Sequence, residues 1–560
     1  MNIFRRPIAP VRIVFMCFLL SALLCAAASA QPAPDTAIHI TAQANAQGKP
    51  LVHFWSKVAG AGRANEALRS TWQEELGMGA KYDGFRYIRF HGLFQDDMWD
   101  YHEDRQGNPI YNFQYVDDVF DRMLAQGVRP FVELSFVPSE LATQKNTTFW
   151  WKANGGPPTD NAKWAALVHA TVAHLLARYG ADEVHKWYFE VWNEPNLGSF
   201  FRGGTQQQYF ELYKVTAQTI KAIDPQLKVG GPATSNFGMD PDALKAAQAS
   251  GKPIDPFKIP WVPIWIDDFL NYCKANNLPV DFVSTHPYPQ DFAIDDPSVP
   301  REQRTRYRRS IDSTRDDLRT IRKIIDASPY PHAGIELTEW NSSPSPTDHS
   351  HDALAAGAFV VKTNLDSIGL VDSLSYWTFT DVFEENRNAD SVFHGGFGLI
   401  NYQEIPKAAF HGYRMMNELG DEVVERTDGA IVTRDHASGR LITLAYNYPP
   451  EEKAALPVSN TLEAADAIDA SGSARDLDIH LRGLRPGTVF SIETLDRDHG
   501  NAIAAWEKMG KPEPPTREQA ESLRMAAWAT QKETVHADKA GNLEIHRPIA
   551  AWSLVLVKQN

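Results

Sequence analysis

Between about residue 52 and residue 380 the chain alternates short, nearly uninterrupted apolar runs with longer stretches whose apolar residues recur every three or four positions. The runs at 52–58, 87–91, 130–136, 188–193, 227–232, 281–287, 333–339 and 373–380 have strand length and are rich in β-branched and aromatic residues. Between them, spacings such as Trp164, Leu167, Val168, Val172, Leu175, Leu176 and Tyr179, or Leu318, Ile321, Ile324 and Ile325, predict amphipathic helices. Strands that are apolar on both faces and alternate with helices predict a parallel sheet covered on both sides. Eight such units close into a (β/α)8 TIM barrel, an α/β fold. The rival architecture, an open doubly wound sheet, finds no glycine-rich phosphate loop after its first strand to support a nucleotide-binding version.

From about residue 429 the period changes to two. Leu441-Ile442-Thr443-Leu444-Ala445-Tyr446, Leu477-Asp478-Ile479-His480-Leu481 and Trp552-Ser553-Leu554-Val555-Leu556-Val557 predict antiparallel strands. The expected organisation is therefore a catalytic barrel over 51–422 and an accessory β-sandwich over 423–560, with a helical excursion at 504–527. Ala37-Ile38-His39-Ile40, within an N-terminal segment 31–50, is expected to add a strand to that sandwich. The segment 240–260 reads as an insertion between barrel units.

Arg5, Arg6 and Arg12 precede an apolar stretch, 13–24, which ends in Ala28-Ser29-Ala30. This predicts a signal peptide over 1–30, cleavage before Gln31 and an exported protein, periplasmic or extracellular. The apolar stretch is shorter than the ~20 residues of a membrane span, so no membrane anchor is expected. Cleavage would remove Cys17 and Cys25 and leave Cys273, set among Val262, Trp265, Ile266 and Phe269, as a buried inert thiol. Loss of the three arginines takes the net charge from −15 to −18, which argues against nucleic acid as a partner. Fifteen tryptophans offer flat faces to neutral sugar rings.

Polar and aromatic residues gather where the strands end: Arg89 and His91, Ser135 and Phe136, Asn193 and Glu194, Thr234, His286 and Tyr288, Glu339, and Trp377. Two glutamates close β-type runs, in Phe189-Glu190-Val191-Trp192-Asn193-Glu194-Pro195-Asn196 and in Gly334-Ile335-Glu336-Leu337-Thr338-Glu339-Trp340-Asn341. In a parallel barrel both carboxylates reach the C-terminal rim. Two carboxyl groups across one cleft suffice to cleave a glycosidic bond, and retention of configuration asks for ~5 to 5.5 Å between them. Pro195, without an N–H, ends the strand beside Glu194, and Asn193 can offer its amide to a sugar hydroxyl. Glu190 and Glu336 lie further back and are expected to be structural. Taken alone, His91 and His286 read as core histidines, Trp377 as barrel filling, and Glu384-Glu385 as solvated charge.

The ordered set Tyr87-Ile88-Arg89-Phe90-His91-Gly92-Leu93, Phe131-Val132-Glu133, Phe189 to Leu197, His286-Pro287-Tyr288-Pro289, Leu337-Thr338-Glu339-Trp340-Asn341, Ser375-Tyr376-Trp377-Thr378-Phe379 and Phe393-His394-Gly395-Gly396-Phe397-Gly398-Leu399 resembles glycoside hydrolase family 39, above all its bacterial β-xylosidases. The resemblance implies a retaining enzyme with Glu194 as acid/base, Glu339 as nucleophile and Asn193 on the substrate 2-hydroxyl. It places His91, His286, Tyr288, Trp377, Glu384 and Glu385 around the terminal sugar. It further implies exo-acting hydrolysis of xylo-oligosaccharides with no metal or organic cofactor. Departures at the N-terminus, at 240–260 and in the C-terminal region leave oligomeric state open. Alternatives are α-L-iduronidase-like or arabinosidase-like specificity, the former favoured by a cationic residue near the sugar pocket, and a non-catalytic carbohydrate-binding protein, which typically lacks one carboxylate. Asn146-Thr147-Thr148 and Asn341-Ser342-Ser343 are glycosylation sequons on paper, and a glycan on the second would block the cleft.

Overall fold

The computed structural model describes residues 36–143, 147–252, 254–292, 306–385 and 389–560. The expected signal peptide, with Cys17 and Cys25, and Asn146 of the first sequon lie outside the described residues. Eight parallel strands close into a barrel: Val58–Arg63 (β1), Tyr87–His91 (β2), Arg129–Leu134 (β3), Tyr188–Val191 (β4), Lys228–Ser235 (β5), Phe282–His286 (β6), Gly334–Trp340 (β7) and Ser373–Tyr376 (β8). Each strand pairs with its neighbour in chain order, and β8 returns to β1 through Tyr376 and Ala59. A helix follows every strand, from Ser70–Met78 after β1 to Ala408–Asn417 after β8. The helix Asn161–Tyr179 starts where the Asp160 carboxylate accepts from the backbone of Ala162 and Lys163.

The first strand differs from expectation. Residues 54–56, read as strand, form a 3-10 turn, and β1 is the Gly- and Ala-rich segment that follows. This segment has little intrinsic strand preference, and its small residues are demanded by packing. A Cβ on Gly60 would lie 2.5 Å from Trp377 Cε3, and one on Gly62 would collide with the Glu66 carboxylate.

Alternation along the strands sorts the barrel interior into levels. At the N-terminal end Val58, Phe131 and Phe282 pack with Tyr87 and Tyr188, the rings of Phe131 and Tyr188 stacking at 4.9 Å. One level higher the interior turns polar: Arg89, Glu133, Glu190, Ser284 and Glu336 are all buried. The open C-terminal end lies above them.

The C-terminal region forms two further sheets. A three-stranded sheet runs Ile38–Gln43, Arg475–Arg482, Leu543–Ile549, and the N-terminal strand joins it in parallel, Ile38 opposite Leu477. A seven-stranded sheet runs Lys49–Pro50, Glu422–Thr427, Ala430–Arg434, Leu441–Tyr446, Leu554–Gln559, Val489–Leu495, Gln531–His536. The larger sheet is apolar on both faces. Ala430, Val432, Ala445, Val555 and Val557 meet Ile38, Ile479 and Ile545 of the smaller sheet, which makes a sandwich. The alternate residues Ile431, Leu444, Leu554 and Leu556 join the core of the barrel. Residues Ala37–Asn560 accordingly form one compact unit.

The helical excursion consists of Ala502–Lys508 and Arg517–Trp528. Trp506 packs on Phe393 at 5.4 Å, and Glu513 accepts from the Val392 N–H at 2.9 Å, which braces the loop after β8. The insertion at 240–260 carries the helix Pro241–Ala249, closed by Phe237–Met239 pairing with Trp261–Pro263. No helix among the described residues is long and apolar enough to cross a membrane.

Candidate active site

Glu194 stands three residues beyond the end of β4. Trp192 and Glu194 take left-handed backbone angles, φ +73° and +44°, and the Glu194 N–H donates to the Ala233 carbonyl at 2.8 Å. The turn is thereby pinned to the next strand and aims the carboxyl across the mouth. Glu339 reaches the same space by another device. Strict alternation would put Glu336 and Thr338 inside, but pairing with β8 shifts register between Leu337 and Trp340. Such an irregularity re-aims a side chain.

A carboxylate oxygen of Glu194, one of Glu339 and a ring nitrogen of His286 consequently lie within 4.8 Å of one another. His286 Nδ1 is 3.0 Å from Glu194 and 3.7 Å from Glu339. The same donors would suit a cation, but Glu339 already accepts from the Arg89 guanidinium, which supplies positive charge there.

Arg89, wholly buried, is the hub of this level. Its other contacts are Glu190 at 2.8 Å, Glu133 at 2.8 Å and Asn193 Oδ1 at 2.9 Å. His91 Nδ1 meets Glu133 at 2.8 Å, and its Nε2 faces Glu385 at 3.5 Å and Glu339 at 3.6 Å. The Tyr288 hydroxyl donates to the second oxygen of Glu339 at 3.2 Å. Trp377 lies against His91, ring centres 4.8 Å apart.

Burial raises Glu194 to about 7, only partly offset by Ser235, His91 and Arg89. Burial raises Glu339 as well, opposed by the positive charges of Arg89 and His91. Desolvation lowers His286 to about 4, so it is neutral over the ordinary range. His91 goes the other way: burial works against its charge, but Glu133 outweighs it and raises the imidazole to about 10. Two carboxyl groups, one holding its proton and one beside a guanidinium, are suited to proton donation and nucleophilic attack.

The structure thus brings together Glu194, Glu339, Asn193, His91, His286, Tyr288, Trp377 and Glu385. It separates Glu384 from them. That carboxylate binds Arg63 at 2.7 Å and Arg69 at 2.6 Å, and these cations outweigh its burial and hold it below the usual carboxylate range. Arg89 and Glu133 were visible in the motifs but carried no role. The available signal was an arginine inside an apolar strand, since a buried guanidinium requires carboxylates at its own level. Glu336 pairs with Lys57 towards the floor. Asn341 is buried and its amide donates to the Trp377 carbonyl at 2.6 Å, so that sequon offers no glycan acceptor. Cys273 is buried, and burial pushes its thiol well up.

A closed parallel barrel with two carboxyl groups converging at its mouth defines a class, a TIM-barrel glycoside hydrolase. Residues 38–544 match the family model for glycosyl hydrolases family 39, and the chain belongs to that family, as its motifs indicated. It is 37% identical over 481 residues to a β-xylosidase of Geobacillus stearothermophilus, covering 84% of this chain and 86% of the relative. It is 35% identical over 494 residues to a β-xylosidase of Caldicellulosiruptor saccharolyticus, covering 88% and 92%. A crystal structure of a monomeric β-xylosidase from Caulobacter crescentus CB15 superposes with TM-score 0.79 and 32% identity over 93% of this chain and 99% of that one.

Proposed function

We propose that this protein is an exported, exo-acting, retaining β-xylosidase that releases xylose from the non-reducing ends of xylo-oligosaccharides. The observation that carries the reading is the approach of the Glu194 and Glu339 carboxyl groups to within 4.8 Å, a gap that suits direct attack. In the first step a Glu339 oxygen bonds to the anomeric carbon while the bond to the leaving oxygen breaks and Glu194 gives that oxygen its proton. In the second, Glu194 takes a proton from water, the water oxygen bonds to the anomeric carbon and the ester to Glu339 breaks. Asn193, oriented by Arg89, offers its amide to the 2-hydroxyl, and Glu385 with His91 takes hydroxyls of the terminal sugar.

Xylose rather than another sugar is supported by the names of the two relatives above and by charge. Arg89 and His91, the cations in contact with Glu339, are each bound to the protein's own carboxylates, which disfavours their use on the carboxylate of iduronate. A purely binding role is disfavoured because both carboxyl groups are present and converge.

A panel of nitrophenyl glycosides, with product configuration followed by NMR, tests the reading. Fastest release from the β-xyloside with β-xylose as the first product is expected; α-xylose first, or no preference for the xyloside, would contradict it. Export predicts a mature protein that begins at Gln31, readable by intact mass.

A further inference from the structure

We propose that Thr338 is a positioning residue for the general acid: through His286 it fixes the tautomer that keeps Glu194 protonated. This rests on the assignment of Glu194 as acid.

A threonine hydroxyl has one hydrogen to give. Thr338 gives it to Glu190 Oε1 at 2.8 Å, and the other oxygen of Glu190 accepts from Arg89 Nε at 2.8 Å, so Glu190 is held as an acceptor. With its hydrogen committed, Thr338 Oγ1 can only accept from His286 Nε2, 2.9 Å away. A neutral imidazole carries a single N–H, which leaves Nδ1 bare. That bare nitrogen lies 3.0 Å from Glu194 Oε1. Two lone pairs at that distance repel, whereas a protonated carboxyl donates a hydrogen bond. The chain Glu190, Thr338, His286, Glu194 is therefore polarised in one direction.

The charged and titratable groups facing this pair are Arg89 and His91 from β2, Glu133 from β3, Glu190 from β4, Glu339 from β7, and Tyr288 and Glu385 from the rim. Most of them act only on the charge of the imidazole and of Glu194. Glu339, 3.7 Å from Nδ1, favours a hydrogen on that nitrogen but lies beyond hydrogen-bond distance, whereas Thr338, 2.9 Å from Nε2, makes the hydrogen bond that sets the tautomer, and nothing in its position requires it to touch substrate.

The test is the pH dependence of kcat/KM on xylobiose. Thr338→Val removes the hydroxyl and lets His286 carry its hydrogen on Nδ1, facing an ionised Glu194. The alkaline limb then moves down by about one pH unit, a tenfold loss of proton affinity. Thr338→Ala must show the same shift, and Thr338→Ser must keep the wild-type limb. Loss of rate with the limb unmoved in both Val and Ala variants overturns the role of Thr338. A wild-type limb on an activated aryl xyloside that persists in Glu194→Gln overturns the assignment of Glu194 itself, and this proposal with it.

Discussion

Glu194 and Glu339 are the same side chain in different surroundings. Arg89 and Tyr288 each hold an oxygen of Glu339, while Glu194 faces a neutral imidazole. Replacing Glu339 with Gln keeps the shape and removes the proposed nucleophile, so turnover of an aryl xyloside should drop by about 10⁴-fold or more with an unchanged melting temperature. With Glu194 raised to about 7, activity should fall as pH rises through that value, because the proposed acid loses its proton. His286, lowered to about 4, contributes no limb above that. The same shift acts on stability. Below 4.5 both folded and unfolded forms hold the Glu194 proton; between 4.5 and about 7 only the folded form does, so this group's contribution is lost as pH rises through about 7. Arg89→Met would leave Glu133, Glu190 and Glu339 buried without their common cation. Its expected cost is about 3–5 kcal/mol, read by denaturant titration, with loss of activity.

At the scale of elements, β1 and β7 show what the residue pattern discloses and what it hides. Continuous apolar runs revealed most of the barrel, since a strand buried on both faces must be apolar throughout. Ala59-Gly60-Ala61-Gly62 escaped because its glycines answer to the side chains of Trp377 and Glu66, whose approach only the folded chain reveals. Gly60→Ala should therefore destabilise by about 1–3 kcal/mol, seen as a lower melting temperature, because backbone and ring leave a methyl little room. The position of Glu339 at a strand end was legible, whereas the register shift that turns it inward was not, because it arises from pairing with β8. Glu384 and Glu385 look alike in sequence; only the fold shows that Glu384 pairs with Arg63 and Arg69 whereas Glu385 faces His91.

For the whole molecule, the seven-stranded sheet is apolar on both faces, one towards the smaller sheet and one towards the barrel helices. Barrel and sandwich should consequently unfold in one calorimetric transition; two well-separated transitions would show that the shared core is not stabilising. Cleavage before Gln31, as proposed, would leave one titratable thiol, Cys273, exposed only on unfolding. These properties frame a single chemical claim, that Glu339 bonds to the sugar. A 2-deoxy-2-fluoro-β-xyloside with a good leaving group slows the second step more than the first and traps that bond. Mass spectrometry of the labelled protein should find one added fluoroxylosyl group, on the peptide containing Glu339; an unlabelled but active enzyme, or a label on another residue, would contradict it.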